Sequence, residues 1–189
     1  MKRAFLSPGP LAILVLLFCS ACVRMVPVLD PAYTVANDRY GSTQQVDDLR
    51  VTVRSEGWEA DAPLDRLAPY VTAFYVEIRN NGGQPLAFKV ADAVLVDESG
   101  VLYRPLAPQR LEALLRRPAP AHGGLVEPYV YSYDNDLAAT LGSLTDGAVA
   151  PGTAARGAIY FQRIAAHVRE ITLRLTVAGQ AREFVFRVE

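Results

Sequence analysis

Two cysteines, Cys19 and Cys22, are the most reactive side chains in this 189-residue sequence, and they lie in the run Cys19-Ser20-Ala21-Cys22. A pair of thiols at this spacing is typical of a redox centre or of one half of a zinc site. A zinc site of that kind needs a second pair of ligands, and the sequence holds no further cysteine. The pair therefore predicts no metal site and no cofactor.

Carboxylates close together in the sequence are the next candidates for chemistry, here for calcium binding: Asp134, Asp136 and Asp146. An EF-hand loop that began at Asp134 would need glycine at its sixth position and a carboxylate at its twelfth. Those positions hold Ala139 and Thr145. We expect residues 134–136 to cap a second short helix over residues 137–144 instead.

A serine hydrolase would need a nucleophile with partners, and Ser143 is the serine closest to a known motif. A nucleophile elbow requires glycine two residues before and after the serine, but Leu141 and Thr145 occupy those positions. The sequence has two histidines, His122 and His167, and neither has a ligand or triad partner nearby in the chain. The sequence therefore predicts a protein that is not an enzyme.

Three tyrosines form the candidate interaction surface of the sequence. Tyr129, Tyr131 and Tyr133 alternate with other residues, so in an extended segment they would lie on one side. An exposed tyrosine face suits binding to another protein, because each ring contributes contact area with little loss of entropy. The alternative is that the rings cover the domain while the hydroxyls reach water.

The N-terminal segment has the layout of an export signal. Lys2 and Arg3 precede the apolar run 11–18, and the small residues Ser20 and Ala21 follow it. The run is too short for a transmembrane helix, which needs about 20 apolar residues.

Because Ser20-Ala21 precedes Cys22, residues 1–22 resemble the signal and lipobox of bacterial lipoproteins. The resemblance implies cleavage after residue 21 and lipidation of Cys22, whose acyl chains would hold the protein at a membrane. The sequence departs from the family pattern at Cys19, where leucine is usual. Val23 stands where the resembling lipoproteins usually need aspartate for retention in the inner membrane, so the resemblance implies the outer membrane, facing the periplasm.

Three parts of the chain follow from this interpretation: a signal peptide (1–21), a tether (22–43) rich in turn residues, and one domain (44–189). Loss of residues 1–21 removes two basic residues, which shifts the formal charge from −1 to −3. The mature chain would keep no free thiol, since Cys19 is removed and Cys22 is lipidated. A chain that is not basic has no electrostatic footprint for nucleic acid.

The body of the chain alternates apolar and polar residues with period two, which indicates strands. The segments are 49–54, 71–79, 86–90, 93–96, 101–103, 158–161, 171–177 and 184–188. Hairpin turns are predicted at Asn80-Asn81-Gly82-Gly83, at residues 97–100 and at residues 178–180. About eight short strands with turns between them predict an antiparallel β-sandwich. The series from Val76 to Phe161 is also similar to the immunoglobulin-like (Ig-like) extracytoplasmic modules of bacterial lipoproteins, which implies a mainly β, Ig-like fold and a binding or scaffolding role.

Residues 106–150 are predicted to be a partly helical insertion in this sandwich. Leu111, Leu114 and Leu115 form an apolar stripe at helical spacing, and Pro118 would end the helix. We expect this helix to cap one end of the sandwich. The whole pattern predicts a lipid-anchored, non-catalytic module that binds another envelope protein. The alternative is a carrier of a small ligand with the insertion as its lid.

Overall fold

The computed structural model describes residues 24–28, 30–55, 67–116 and 142–189. Within these ranges the chain forms twelve strands, one α-helix and a short 3-10 helix at Val90–Asp92. The strands are β1 (Met25–Pro27), β2 (Thr34–Asn37), β3 (Gly41–Val46), β4 (Leu49–Arg54), β5 (Val71–Asn80), β6 (Leu86–Phe88), β7 (Val94–Asp97), β8 (Leu102–Tyr103), β9 (Gly147–Val149), β10 (Ala154–Gln162), β11 (Glu170–Val177) and β12 (Gln180–Val188). The helix α1 is Pro108–Leu115.

These strands build two antiparallel sheets that pack together, so the protein is mainly β. The first sheet begins with β1, β12 and β11. Two pairs of strands then share the far side of β11: β7 with β8 along its first half, and β6 with β9 near its end. The second sheet has the order β10-β5-β4-β3-β2.

Apolar side chains that alternate along the strands fill the space between the sheets. Val51 and Val53 of β4 are almost fully buried, and the polar residues between them face outward, as the period of two predicted. Phe74 of β5 contacts Phe186 of β12, with ring centroids 5.0 Å apart. This aromatic contact joins the two sheets at the centre of the core.

Two of the predicted hairpins are confirmed. At residues 178–180, Val177 pairs with Gln180 across the Ala178-Gly179 turn. At residues 97–100, β7 and β8 pair through a turn that Asp97 stabilises. Its Oδ1 accepts a hydrogen bond of 2.6 Å from the Ser99 hydroxyl and bonds of 2.9 Å from the Ser99 and Val101 amides. These bonds, the Ser99 hydroxyl first, hold the pKa of Asp97 below its usual range.

The prediction of a hairpin at residues 80–83 is wrong. β5 lies in the second sheet, while β6 lies in the first sheet and pairs with β9 and β11. The reason is that both edges of β5 are already occupied, by β4 on one side and β10 on the other. The Asn-Gly turn therefore carries the chain across to the other sheet.

Asn80 fixes this crossover because its fully buried side chain makes three hydrogen bonds to two segments. Its Nδ2 donates to the carbonyls of Gln84 at 2.7 Å and Val149 at 2.9 Å, and its Oδ1 accepts from the Gly82 amide at 2.9 Å. The end of β5 is thereby bonded both to the crossover turn and to β9 of the first sheet.

The prediction that residues 22–43 form a tether needs correction. β1 pairs with β12 at the edge of the first sheet, β2 pairs with β3 at the edge of the second, and β3 itself begins at Gly41. Short edge strands tolerate proline and turn residues because only one side of the strand is paired. The proline and turn residues of this segment are also typical of linkers, which is why the sequence predicted a tether.

The helix of the insertion lies elsewhere than expected. The apolar stripe of α1 does pack, but against the outer face of the second sheet, over Val71 and Ala73 of β5 and Ala158 and Tyr160 of β10. It therefore covers part of a sheet face rather than an open end of the sandwich.

The predicted second helix, 137–144, lies mostly outside the described residues. Its last part is not helical, because Gly142 has a φ of +57° and Ser143 forms a bridge with Ala158. Leu144 passes so close to Gly157 that a side chain at position 157 would collide with its backbone.

We expect Asn80→Ala to lower the free energy of unfolding by about 2–4 kcal/mol, since it leaves the buried Val149 carbonyl, the part-buried Gln84 carbonyl and the Gly82 amide without their partner. Asn81→Ala is the matched control, because Asn81 is exposed and bonds to Asp48 only through its backbone. Urea unfolding measures both. Equal losses for the two variants would show that the Asn80 side chain does not hold the crossover.

Candidate functional site

Most residues that the sequence singled out lie outside the described ranges, namely Cys19, Cys22, His122, Tyr129, Tyr131, Tyr133, Asp134 and Asp136. The lipidation site and the tyrosine surface therefore stay predictions.

Three of the weaker candidates are described. Asp146 Oδ1 accepts a hydrogen bond of 2.6 Å from the Val90 amide, which ties the start of β9 to the short helix. His167 is exposed in the segment between β10 and β11. The Ser143 Oγ is buried and has no hydrogen-bond partner within the described ranges. Nothing in this part of the chain brings these three side chains into one reactive group.

In the described part of the chain, no group of three or more histidine, cysteine, aspartate or glutamate side chains is placed to hold a metal ion. In the same ranges no helix combines the length and the apolar character needed to cross a membrane.

A cluster of charged side chains on the outer face of the second sheet is the most distinctive polar feature that the structure shows. The face is divided in two along β5 and β10. One half is apolar and lies under α1, and the other half carries Glu77 and Arg79 of β5 and Arg156 of β10, with Arg50 beside them on β4. We call these four residues the arginine face.

The register of β5 with its neighbours β4 and β10 brings the residues of the arginine face together. Glu77 stands opposite Arg156 on one side of β5, and Arg79 stands opposite Arg50 on the other. All four point outward because they alternate with the buried residues of their strands, such as Val51, Val76 and Ile78.

Glu77 is the centre of the ion pairs on this face. Its Oε2 accepts from Arg156 Nε at 2.9 Å, and its Oε1 accepts from Arg79 Nη2 at 3.2 Å and from Arg79 Nε at 3.3 Å. Burial raises the pKa of the Glu77 carboxyl, but the hydrogen bonds and charges of Arg156 and Arg79 together outweigh burial and hold the pKa below its usual range. One carboxylate is thus shared by two guanidinium groups.

Arg50 is the member of the arginine face whose charge has no acidic partner on that face. It is exposed and, within the described part of the chain, forms no ion pair. Its direct cross-strand neighbour is Arg79, and like charges in such positions destabilise a sheet, because opposed Cβ atoms are only about 4.5–5.5 Å apart. Two arginines on other strand positions do have an acidic partner: Arg54 pairs with Asp38 at 2.5 Å, and Arg174 pairs with Glu183 at 2.7 Å.

The arrangement provides three guanidinium groups and a single carboxylate on an exposed sheet surface. Guanidinium groups bind carboxylates through paired, charge-assisted hydrogen bonds. The free donors of Arg50, together with those of Arg79, suit a carboxylate that approaches from solvent. The alternation of each strand placed these arginines on an outer face, but it carried no signal that would set β4 and β5 in register.

Comparison with known proteins identifies no family. No family model matches the chain, and no curated protein matches it significantly. Among solved structures, a functionally unknown protein from Listeria monocytogenes EGD-e is similar to the chain with a TM-score of 0.33 and 15% identity, over 80% of this chain and 71% of that one. A likeness this low supports no conclusion about function.

Replacement of Glu77 by glutamine tests the ion pairs. We expect Glu77→Gln to lower the free energy of unfolding at neutral pH by about 1 kcal/mol, because Arg79 and Arg156 are then left without their shared carboxylate. The pKa of Glu77 is lower in the folded than in the unfolded chain, so its contribution is complete above the unfolded pKa of about 4.3 and is lost as the pH falls through the folded value.

The difference in the free energy of unfolding between wild type and Glu77→Gln should therefore become smaller when urea unfolding is repeated at pH values below about 4. Glu183→Gln is the control, since Glu183 pairs with Arg174 alone and its side chain is 53% exposed. A difference between wild type and Glu77→Gln that stays constant down to low pH would contradict the assignment.

Proposed function

We propose that this chain is a lipid-anchored lipoprotein of the bacterial cell envelope, attached at Cys22 to the outer membrane and facing the periplasm, whose β domain binds an acidic segment of another envelope protein. The role is binding or scaffolding and involves no catalysis by the chain. The observation that carries the binding part is the cross-strand pair Arg50 and Arg79, in which Arg79 shares Glu77 with Arg156 and Arg50 has no acidic partner among the described residues. The Ig-like topology expected from the sequence belongs to this proposal as well.

The anchor is supported by the order of features in residues 1–22: two cations, an apolar run, two small residues and a cysteine. Mass spectrometry of the membrane-extracted chain should find Cys22 at the N-terminus, carrying a thioether-linked diacylglycerol. Cys22→Ala should abolish the modification, whereas Cys19→Ala should leave it intact. An unmodified thiol at Cys22 in the extracted wild-type protein rules out the anchor.

The binding surface is supported by charge. The mature chain has an excess of acidic residues, so a local group of three arginines around one glutamate is a reversal of the overall sign. A partner carboxylate between Arg50 and Arg79 would replace their repulsion by two charge-assisted hydrogen bonds. An acidic peptide segment supplies several such groups and fits an open sheet face, which offers no enclosure for a small molecule.

The alternative function, a carrier of a small ligand, has no specific observation in its favour. The described helix of the insertion lies on the outer face of the second sheet, and Phe74, Phe161 and Phe186 occupy the centre between the sheets. That alternative stays a prediction.

Binding of a fluorescent oligoglutamate peptide tests the arginine face. With the full lipidated chain in detergent, fluorescence anisotropy should show that the double variant Arg50→Gln, Arg79→Gln binds about tenfold more weakly than wild type, as expected for the loss of one bidentate contact. The matched control is Arg174→Gln, Arg182→Gln, which removes the same charge from the first sheet.

Equal weakening of both double variants would mean that the peptide responds to net charge alone, and the arginine face would not be the site. A second measurement is independent of any ligand. Arg50→Gln alone should raise the free energy of unfolding at low ionic strength by a few tenths of a kcal/mol, on the order of one cross-strand repulsion.

A further inference from the structure

We infer that one end of the β domain lies directly against the membrane, with Val101 and Leu102, which follow the turn of the β7–β8 hairpin, in contact with the lipid surface. This orientation rests on the proposed lipidation of Cys22. It adds to that proposal a specific membrane-facing surface, which we call the anchor end.

The length of chain between the anchor and the fold carries the inference. β1 begins at Met25, so only Val23 and Arg24 separate Cys22 from the first sheet. Three peptide units span at most about 11 Å. A lipidated Cys22 therefore leaves the domain no room to stand away from the bilayer, because β1 is itself paired with β12.

Strand directions determine which surface faces the lipid. Met25 pairs with Val188 at the end of β12, and Glu170 at the start of β11 pairs with Arg187. Ile171 then pairs with Asp97 at the end of β7. The start of β1 and the turn between β7 and β8 therefore lie at the same end of the first sheet, at opposite edges of it.

The second sheet contributes to the same end through the end of β4. The Ser55 hydroxyl donates a hydrogen bond of 2.6 Å to the carbonyl of Met25, and the Ser55 amide donates to the carbonyl of Tyr40. Tyr40, in the turn before β3, and Ser55, directly after β4, are therefore level with the start of β1.

Exposed apolar side chains mark the edge of the anchor end that is farthest from β1. Val101 is 50% exposed and Leu102 is 57% exposed, on a hairpin whose turn is kept rigid by Asp97. β8 is an edge strand that pairs with β7 alone. Acyl chains at one edge and two aliphatic side chains at the other would give the domain two separate points of contact with the bilayer.

Among the described residues that the strand directions place at the anchor end, arginines and acids are present in similar numbers. The arginines are Arg24, Arg39, Arg54, Arg163, Arg169 and Arg187, and the acids are Asp38, Asp97, Glu98, Glu170 and Glu189. These described residues give no strong preference for anionic lipid, so we expect the contact to depend on the acyl chains and on Val101 and Leu102.

Depth-dependent fluorescence quenching tests the orientation. The full lipidated chain carries a polarity-sensitive thiol label at Leu102→Cys in one sample and at Gln84→Cys in another, since the mature wild-type chain offers no free thiol. Gln84 follows the end of β5 and is exposed at the opposite end of the domain. Each protein is reconstituted into vesicles of phosphatidylcholine, with and without phosphatidylglycerol, that contain lipids brominated near the headgroup.

Brominated lipid should quench the label at position 102 at least about twofold more than the label at position 84, in both vesicle types, because only position 102 reaches the interface. Val101→Cys repeats the measurement in case the change at Leu102 disturbs the hairpin. Flotation with the vesicles, and its loss in Cys22→Ser, reports on the anchor itself.

These outcomes separate the two proposals. If the wild-type chain does not float with vesicles, both the proposed anchor and the proposed orientation are wrong. A chain that floats, but whose labels at positions 101 and 102 are quenched no more than the label at position 84, overturns the orientation and leaves the anchor standing. Quenching that appears only with phosphatidylglycerol contradicts the apolar contact.

Discussion

The buried side chain of Asn80 is the constraint on which the arrangement of the two sheets depends. β5 is the longest strand, its inward face carries Phe74, Val76 and Ile78, and it has a neighbour on each side. The chain that follows it must leave the sheet, and Asn80 fixes the route by bonding to Gln84 and to Val149 of β9. An amide is suited to this position because it donates two hydrogen bonds and accepts one without introducing a charge into the core.

Local patterns in the sequence predicted the elements whose structure is decided locally. Alternation around Val51 and Val53 placed β4 and its buried face, and the glycine turns at Gly100 and Gly179 predicted two hairpins. The local patterns gave a wrong prediction where a strand from a distant part of the sequence occupies the position next to the predicted strand. Asn80-Asn81-Gly82-Gly83 has the composition of a hairpin, yet β10, which begins 74 positions after Asn80, fills the place that the return strand would have taken.

The arginine face could not be predicted for the same reason. The sequence shows that Arg50 and Arg79 alternate with buried residues, and therefore that both point outward. It does not show that they oppose each other, because that depends on the register between β4 and β5, which is set by packing over the whole core. The charged half of the face is also defined by what α1 leaves uncovered, and the site of docking of α1 depends on Ala158 and Tyr160, more than forty residues after it.

The proposed membrane attachment is connected with the arginine face through strand length. Ser55 is level with the start of β1, and Arg50 lies five positions earlier on β4, which corresponds to roughly 17 Å along the strand. If the anchor end rests on the bilayer with β4 upright, the Arg50–Arg79 pair is held at about that height above it. A partner would then have to present its acidic segment close to the membrane, because two residues between Cys22 and β1 allow the domain no reach of its own. Proximity to the bilayer would thus contribute to the choice of partner, in addition to the charge of the arginine face.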